Sequence, residues 1–376
     1  MAKVEYLRNA LVAAAALGVF ALTAHADAGD ASPTTTAQPA AGAAAPHAVT
    51  PSAEPYRYQP RYPREDLPCN PPGKWEVYPS PTTKDLHAVD FIDANNGWAV
   101  GRGVILRYRN GTWTEEPGHD AHNLGDIDMV SLTDGWAVGR DGNDDIWKIW
   151  RWDGSSWKIF QNVTGAIYCI DMIDANHGWI GGNGYFLRFN GTTWEWGGSA
   201  PNTVNGIEMF SDTSGWAVGA PGIVMRRSDN TWQTVPAGSD WMLAEVSMTD
   251  VNNGWATGYK RYVEKGLIVR CVGGIWTEYK TYDEARSIAG IDFYAADFGW
   301  CCGWTNTAPP YGAFLAFSEG SLWYLGKPPT DKGLLGVKVL NKNSAWTVGE
   351  TGVILKYKPN VNISPASLGR IKTIYR

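Results

Sequence analysis

Two tryptophan motifs recur along this chain at a spacing of roughly 40 residues. One copy of the second motif precedes the first copy of the first motif, and the last copy of the first motif has no second motif after it. The first motif is Gly-Trp-Ala-Val-Gly or a variant, and the second is a turn followed by tryptophan. The first motif contains Trp98, Trp136, Trp179, Trp216, Trp255, Trp300 and Trp346; the second contains Trp113, Trp157, Trp194, Trp232, Trp276, Trp323 and, ahead of all of them, Trp75. Such a period is typical of a solenoid or a propeller, whose units cannot bury their hydrophobic faces alone.

Each repeat reads as four short strands. In the first repeat, residues 86–93 alternate in polarity, 93–97 are turn residues, and 98–101 and 104–108 are two further strands. Asn110-Gly111 is a hairpin signal, and Trp113 begins the fourth strand. Four strands per unit in an all-β repeat of this length indicate a blade of a β-propeller.

The phase of the two chain ends predicts how the ring closes. The seventh unit, 335–357, stops where its hairpin and fourth strand are due, and the missing piece stands at 72–77, around Trp75. The sequence therefore predicts a seven-bladed β-propeller of four-stranded blades, closed by an N-terminal strand that completes the last blade.

The segments that flank the repeats differ in composition. Residues 1–26 have the pattern of a secretory signal peptide: a basic start, an apolar stretch and Ala24-His25-Ala26 as cleavage site. Residues 27–68 are rich in Ala, Pro and Thr and are expected to form a disordered spacer. The propeller is expected over 69–358, followed by a short tail, 359–376. These features predict a protein secreted to the periplasm or the extracellular space, with no membrane insertion after signal cleavage.

The net charge of the chain argues against a nucleic-acid partner. The formal net charge is −6, so a general nucleic-acid binder is not expected, because phosphate contacts require a basic surface. The five cysteines show no disulfide or metal spacing, and Cys301-Cys302 stands where other repeats have Ala-Val. We expect them to be small core residues.

A second periodic pattern concerns acidic and basic positions. The first strand carries an acid in five repeats and the third strand carries a base in six. The acids are Asp90, Asp128, Asp171, Glu208 and Asp292, with Ser247 and Lys338 as exceptions; the bases are Arg107, Arg151, Arg188, Arg226, Arg270 and Lys356. Buried charges need partners, so contacts between the two sets are expected. An acidic ring that lines a central channel and holds a cation is the alternative.

The repeats resemble the photosystem II stability/assembly factor family. The resemblance lies in Gly-Trp-Ala-Val-Gly, then Gly-x-Ile-Leu-Arg, then a turn and Trp, best matched at 97–113, 178–194 and 215–232, and it spans about 74–358. It implies a seven-bladed propeller, and photosynthetic members of the family assemble photosystem II by binding a reaction-centre protein. The hairpin turn also resembles a degenerate Asp-box of BNR-type, sialidase-like repeats, as at 228–232.

Binding residues are expected where the repeats deviate from one another. The loops after the second strand are longer at 140–147, 259–266 and 304–312, and loops on a rigid scaffold carry specificity. The sequence predicts an exposed aromatic platform of Trp241, Trp304 and Tyr311, with Trp196 near the same face. Such a platform suits a protein partner or a sugar ring.

Catalytic and metal signals are weak. The pair His119 and His122 and the acidic run 141–145 lack the further ligands of a zinc or EF-hand calcium site. We expect no catalytic residue, cofactor or metal. The sequence favours an exported, non-enzymatic propeller that binds a protein or acts as an assembly scaffold; a carbohydrate-binding or sialidase-like, glycoside-hydrolysing propeller is the alternative, and the oligomeric state stays open.

Overall fold

A computed structural model describes residues 73–119, 122–142, 146–306, 313–319, 322–326 and 328–359. The predicted signal peptide, the spacer, Tyr311 and the predicted tail beyond Pro359 lie outside the described residues. All the regular structure in the described part is β-strand, apart from one turn of 3-10 helix at Glu350–Gly352. The all-β fold class is therefore confirmed.

The strands follow one another in short up-and-down runs. In chain order they are β1 (Gly73–Val77), β2 (Leu86–Asp93), β3 (Asn96–Gly101), β4 (Val104–Arg109), β5 (Thr112–Glu115), β6 (His122–Ser131), β7 (Asp134–Asp141), β8 (Trp147–Trp152), β9 (Trp157–Val163), β10 (Ile167–Asp174), β11 (His177–Phe189), β12 (Trp194–Ser211), β13 (Ser214–Ala220), β14 (Ile223–Ser228), β15 (Thr231–Thr234), β16 (Trp241–Asp250), β17 (Asn253–Lys260), β18 (Lys265–Val272), β19 (Ile275–Tyr282), β20 (Ala285–Ala295), β21 (Phe298–Thr305), β22 (Ala313–Glu319), β23 (Leu322–Leu325), β24 (Leu334–Asn341), β25 (Ser344–Gly349) and β26 (Ile354–Pro359).

The described strands form six antiparallel sheets. Five of them have four strands, in the orders β1-β26-β25-β24, β2-β3-β4-β5, β6-β7-β8-β9, β16-β17-β18-β19 and β20-β21-β22-β23. The sixth has six strands, β10 to β15 in sequence order. The prediction of seven separate four-stranded blades is therefore wrong.

The long strand β12 explains this difference. The sequence predicts a break between the outer strand that begins at Trp194 and the next inner strand, but the backbone stays extended over all 18 residues of β12. Thr203, within β12, pairs with Asn183 of β11 on one side and with Ala220 of β13 on the other. Backbone pairing therefore runs across the boundary between the third and fourth repeats and joins them in one sheet.

The predicted closure by the N-terminal strand is confirmed. Strand β1 pairs antiparallel with β26, with Trp75 opposite Tyr357 and Gly73 opposite Pro359. This pairing covers an edge that β26 would otherwise leave open. The first and last described segments of the chain thus share a sheet.

Pairs of tryptophans form the core between neighbouring repeats. A tryptophan of the second motif packs edge-on against the first-motif tryptophan of the preceding repeat, as in Trp194 with Trp136, whose ring centroids are 5.4 Å apart. The same relation holds for Trp113 with Trp346, Trp232 with Trp179, Trp276 with Trp216, Trp323 with Trp255 and Trp75 with Trp300. Edge-to-face aromatic pairs stabilise beyond the area they bury, which accounts for the regular spacing of tryptophan in the sequence.

The cysteines in the described part are small core residues, as predicted. Cys169, Cys271, Cys301 and Cys302 are buried and free, whereas Cys69 lies outside the described residues. No helix within the described ranges has the length and apolar character needed to cross a bilayer.

Candidate functional site

The innermost strands surround a cavity of about 240 Å³. Seven chain segments line it, one from each sequence repeat, and β10 and β12 supply two of them from the same sheet. The lining residues fall within 87–90, 125–128, 168–171, 205–208, 244–247, 289–292 and 335–338. The cavity therefore lies at the centre of the ring, where equivalent positions of all repeats converge.

The periodic acids of the first strands form a ring around this cavity. Each acid, and Ser247 at the same position of the fifth repeat, accepts a hydrogen bond from a backbone N–H of the next inner strand, one residue beyond the equivalent position. The bonds run from Met129 N to Asp90 Oδ2 (2.8 Å), Met172 N to Asp128 Oδ2 (2.5 Å), Met209 N to Asp171 Oδ2 (2.6 Å), Met248 N to Glu208 Oε2 (2.6 Å), Phe293 N to Ser247 Oγ (3.1 Å) and Val339 N to Asp292 Oδ2 (2.5 Å).

The ring closes through an ion pair. Lys338 stands at the seventh position, and its Nζ lies 2.8 Å from Asp90 Oδ1. The inner strand of each repeat has a free edge, whose N–H groups need acceptors when they are buried. The repeated acids meet this need, which gives the periodic pattern a structural reason.

Burial raises the pKa of most of these carboxyl groups. Desolvation is the main cause in every case, and repulsion by neighbouring carboxylates adds to it for several of them. The pKa of Asp171 rises to about 7 and that of Glu208 to about 8, and the pKa values of Asp128 and Asp292 are also raised. The pKa of Lys338 is raised as well, chiefly by attraction to Asp90.

Two further acids form a second layer of the cavity wall. Asp126 lies two residues before Asp128, and Glu245 lies two residues before Ser247. Asp126 accepts hydrogen bonds from Ile127 N and Ile170 N, both at 2.8 Å, and desolvation raises its pKa to about 6. Glu245 Oε1 accepts from its neighbour Val246 N at 3.0 Å. The carboxylate of Glu245 lies over Gly206, where a Cβ would come within 2.7 Å of Oε1.

Sequence reasoning did not find this second layer. Asp126 and Glu245 occur in only two repeats, whereas the other repeats have Ala88, Cys169 and three glycines at the same place. The available signal was that alternate residues of a strand share a face, so that these two acids lie on the same face as the ring acids.

The expected contacts between the periodic acids and the periodic bases are not formed, and that expectation was wrong. Most of the bases lie over tryptophan rings instead. The distances from Arg Cζ or Lys Nζ to the ring centroid are 4.6 Å for Arg107 over Trp152, 4.7 Å for Arg151 over Trp136, 5.2 Å for Arg226 over Trp216, 4.9 Å for Arg270 over Trp255 and 4.6 Å for Lys356 over Trp346. Arg188 pairs with Asp212, which lies outside the periodic set. The strand that carries the first-motif tryptophan lies between the two sets: Trp98 is opposite Asp90 on one side and opposite Arg107 on the other. The base therefore meets the tryptophan ring before it can reach the acid.

The predicted aromatic platform is largely buried. Trp241 is only 6 % exposed, within a core cluster, and Trp304 is 8 % exposed, with its Nε1 donating to Glu350 Oε1 at 2.9 Å. The expectation that these two are exposed was wrong, because Trp241 packs against Gly238 and Trp304 packs against Gly333. Trp196 is 65 % exposed and stacks on Tyr185 with a centroid distance of 6.0 Å. A binding role for Trp241, Trp304, Trp196 and Tyr311 stays a prediction.

The histidine pair and the acidic run noted in the sequence come together at one place. His119 Nδ1 and His122 Nδ1 are 3.2 Å apart, and His122 Nε2 is 3.9 Å from Asp141 Oδ2. Asp141 also receives a hydrogen bond from Lys148 Nζ at 2.7 Å. Within the described ranges, no group of three or more His, Cys, Asp or Glu side chains is placed to hold a metal ion.

The chemistry of the cavity wall is that of a binder of positive charge. A sialidase-like site would need a cluster of arginines, but the described lining contains Lys338 and no arginine. An acidic wall attracts cationic groups and offers them hydrogen-bond acceptors.

Comparison with known proteins gives similarities at the level of fold. No family model matches the chain, and no curated protein matches it. A solved structure of YCF48 bound to D1 peptide is 18 % identical, with a TM-score of 0.60, over 80 % of this chain and 99 % of that one. YCF48 from Cyanidioschyzon merolae is 14 % identical (TM-score 0.58, 76 % and 99 % covered), and the WD40 propeller domain of Doa1 is 11 % identical (TM-score 0.59, 76 % and 98 %). At these identities the shared property is the fold: the chain is a β-propeller similar to those of YCF48 and Doa1.

Proposed function

We propose that this protein is an exported, non-enzymatic β-propeller that binds a segment of a partner protein and acts as an assembly scaffold. The observation that carries the proposal is the acidic axial cavity, a preformed concave site built from all seven repeats. The fold similarity to a YCF48 structure that is described as bound to D1 peptide supports it, as does the resemblance of the repeats to the photosystem II stability/assembly factor family. Export rests on the signal-peptide pattern of residues 1–26.

The hydrogen bonding of the acid ring favours binding over catalysis. Carboxyl groups with raised pKa values are also typical of catalytic acids. Here, however, the same contact to a backbone N–H recurs around the ring, from Asp90 to Asp292, which is the signature of a structural repeat. A rigid wall of this kind is suited to recognition of a group that enters from outside.

Affinity capture followed by reconstitution tests this function. The mature chain, immobilised through its C-terminus, would be incubated with the envelope and extracellular fractions of its source cell. We expect one protein to be retained reproducibly and its purified form to bind the propeller in calorimetry with a stoichiometry of one. The function is overturned if no protein is retained, or if the retained protein does not bind once purified.

A further inference from the structure

We propose that the axial cavity is a binding site for one alkyl ammonium or guanidinium group, and that it receives a lysine or arginine side chain of the partner. The second half of this inference rests on the proposed function; the first half stands on the cavity alone. Four observations lead to it: the acidity of the wall, an oxygen of Glu245 without a hydrogen-bond partner among the described residues, an acceptor of Asn205 without a donor among them, and the size of the cavity.

The wall carries many more acidic than basic side chains. Seven carboxyl groups line the cavity, from Asp90, Asp126, Asp128, Asp171, Glu208, Glu245 and Asp292. Lys338 is the one lysine or arginine among the described lining residues, and it is bound to Asp90 on one side of the ring. The single histidine of the lining, His87, is held neutral by burial, which lowers its pKa, and its Nδ1 faces Leu124 O at 2.7 Å. An additional cation would therefore be attracted into the cavity.

Glu245 marks the part of the wall that lacks a cation. Its pKa is raised well above the usual range, first by desolvation and then by repulsion from Asp126, Glu208 and Asp171. Attraction to Lys338 is among the main influences that lower the pKa of Asp171 and of Glu208, but it is not among the main influences on the pKa of Glu245. Glu245 Oε1 is held by Val246 N, while the described residues offer no hydrogen-bond partner to Oε2.

Asn205 supplies an independent sign of a missing ligand. This side chain lines the cavity, is 9 % exposed, and donates from Nδ2 to Leu243 O at 2.7 Å. That bond fixes the orientation of the amide and leaves Oδ1 as the acceptor on its other side. Among the described residues, Oδ1 has no hydrogen-bond partner. A buried acceptor without a donor is costly, and an ammonium or guanidinium group supplies donors.

The size of the cavity fits the stem of a basic side chain. Lysine and arginine carry a flexible methylene stem behind a charged head that seeks polar partners. A cavity of roughly 150 Å³ can hold benzene, so about 240 Å³ has room for a butyl chain with its ammonium group.

A metal ion fits this wall less well than an organic cation. Metal ligands must converge to within roughly 2–2.6 Å of one point, and no described group of three such side chains does so. Both oxygens of Asp126 and one oxygen of Glu245 are already held by backbone N–H groups. An alkyl ammonium needs only acceptors at hydrogen-bond distance on a wider wall.

Calorimetry with small probes tests the inference on the mature chain. The probes are n-butylammonium, its neutral isostere n-butanol, and N-acetyl-lysine methylamide, all at constant ionic strength and about pH 8, where lysine is still charged. We expect one butylammonium and one lysine derivative per chain, with n-butanol at least tenfold weaker because it lacks the charge.

Two variants assign the site. Glu245→Gln is expected to weaken butylammonium about tenfold, through the loss of one charge-assisted contact. Glu278→Gln is the matched control, because Glu278 pairs with Lys260 outside the cavity, and it should leave the affinity unchanged. Gly206→Ala, which would displace the Glu245 carboxylate, is a second variant should Glu245→Gln lose its native circular dichroism.

Each remaining outcome is decisive. Equal affinity for butylammonium and n-butanol, or an equal effect of the Glu245 and Glu278 variants, would overturn the cation site. Binding of butylammonium without the lysine derivative would overturn its assignment to a partner side chain. Capture of the partner that is unaffected by Glu245→Gln would overturn the same assignment yet leave the protein-binding function standing, so the two proposals fail separately.

Discussion

Lys338 Nζ lies 2.8 Å from Asp90 Oδ1, and this ion pair joins the last inner strand, β24, to the first, β2. Elsewhere in the ring, the side chain at this position accepts a hydrogen bond from the backbone of the next strand. The contact between Lys338 and Asp90 completes the circle with a charge of opposite sign. It also places a positive group beside the acidic cavity.

Loss of this ion pair should destabilise the fold. Lys338→Met leaves the Asp90 carboxylate buried beside an apolar chain, and we expect the free energy of unfolding to fall by about 2 kcal/mol. Urea denaturation near neutral pH measures it. Lys342→Met is the control, because the Lys342–Asp297 pair is more than half exposed on both sides and such pairs contribute little. Equal effects of the two substitutions would show that the ring contact is no stronger than a surface pair.

Stability should decrease as pH rises through neutrality. The folded-state pKa values of Asp171 (about 7) and Glu208 (about 8) lie above their unfolded values, so the folded protein binds protons that the unfolded chain releases. This stabilisation is complete below the unfolded pKa values and is lost as pH rises through the folded ones. We therefore expect a lower free energy of unfolding at about pH 8.5 than at about pH 7, a window in which free histidines are neutral.

A variant isolates the contribution of Glu208 to this pH dependence. Glu208→Gln keeps an oxygen acceptor for Met248 N and removes the ionisable group. The decline in stability over the same pH window should become shallower, whereas Glu278→Gln should leave it unchanged. A stability that rises with pH in the native chain would contradict the raised pKa values.

The last glycine of the first motif should not tolerate a side chain. A Cβ at Gly219 would overlap the carbonyl oxygen of Thr203 on the adjacent strand, and Gly101, Gly258 and Gly349 meet the same obstacle from Asp85, Met242 and Gly333. Gly219→Ala should lower the free energy of unfolding by about 2–3 kcal/mol, because the obstacle is backbone. Gly125→Ala is the control, since its nearest neighbour would be at an ordinary 3.5 Å, and thermal denaturation of the pair measures the difference.

The tryptophans expected to form an exposed platform should differ in how much their loss destabilises the fold. Trp241→Ala opens a core cluster and should cost about 3–5 kcal/mol of stability. Trp196→Ala removes a side chain that is 65 % exposed and should cost less than about 1 kcal/mol. Similar losses in chemical denaturation would show that Trp196 is more firmly packed than its exposure indicates.

Local sequence signals were enough to predict most of the strands, the closure and the positions of the core tryptophans. These features follow from turn residues such as Asn110-Gly111 and from a fixed repeat length, which act locally along the chain. The phase of Trp75 relative to Trp346 was enough to place β1 beside β26. Resemblance of the repeats pointed to a propeller before any pairing was known.

The division of the strands into sheets and the contacts of the charged side chains depend on tertiary structure. The continuity of β12 depends on Thr203 meeting Asn183 and Ala220 at once, which no local pattern specifies. The periodic acids contact backbone N–H groups of the next inner strand, and most of the periodic bases contact tryptophan rings, because the tryptophan-bearing strand separates the two sets within each sheet. The burial of Trp241 and Trp304 arises from contacts between distant segments that exist only once the ring has closed, and so does the placement of Asn205 and Glu245 in the wall of one cavity.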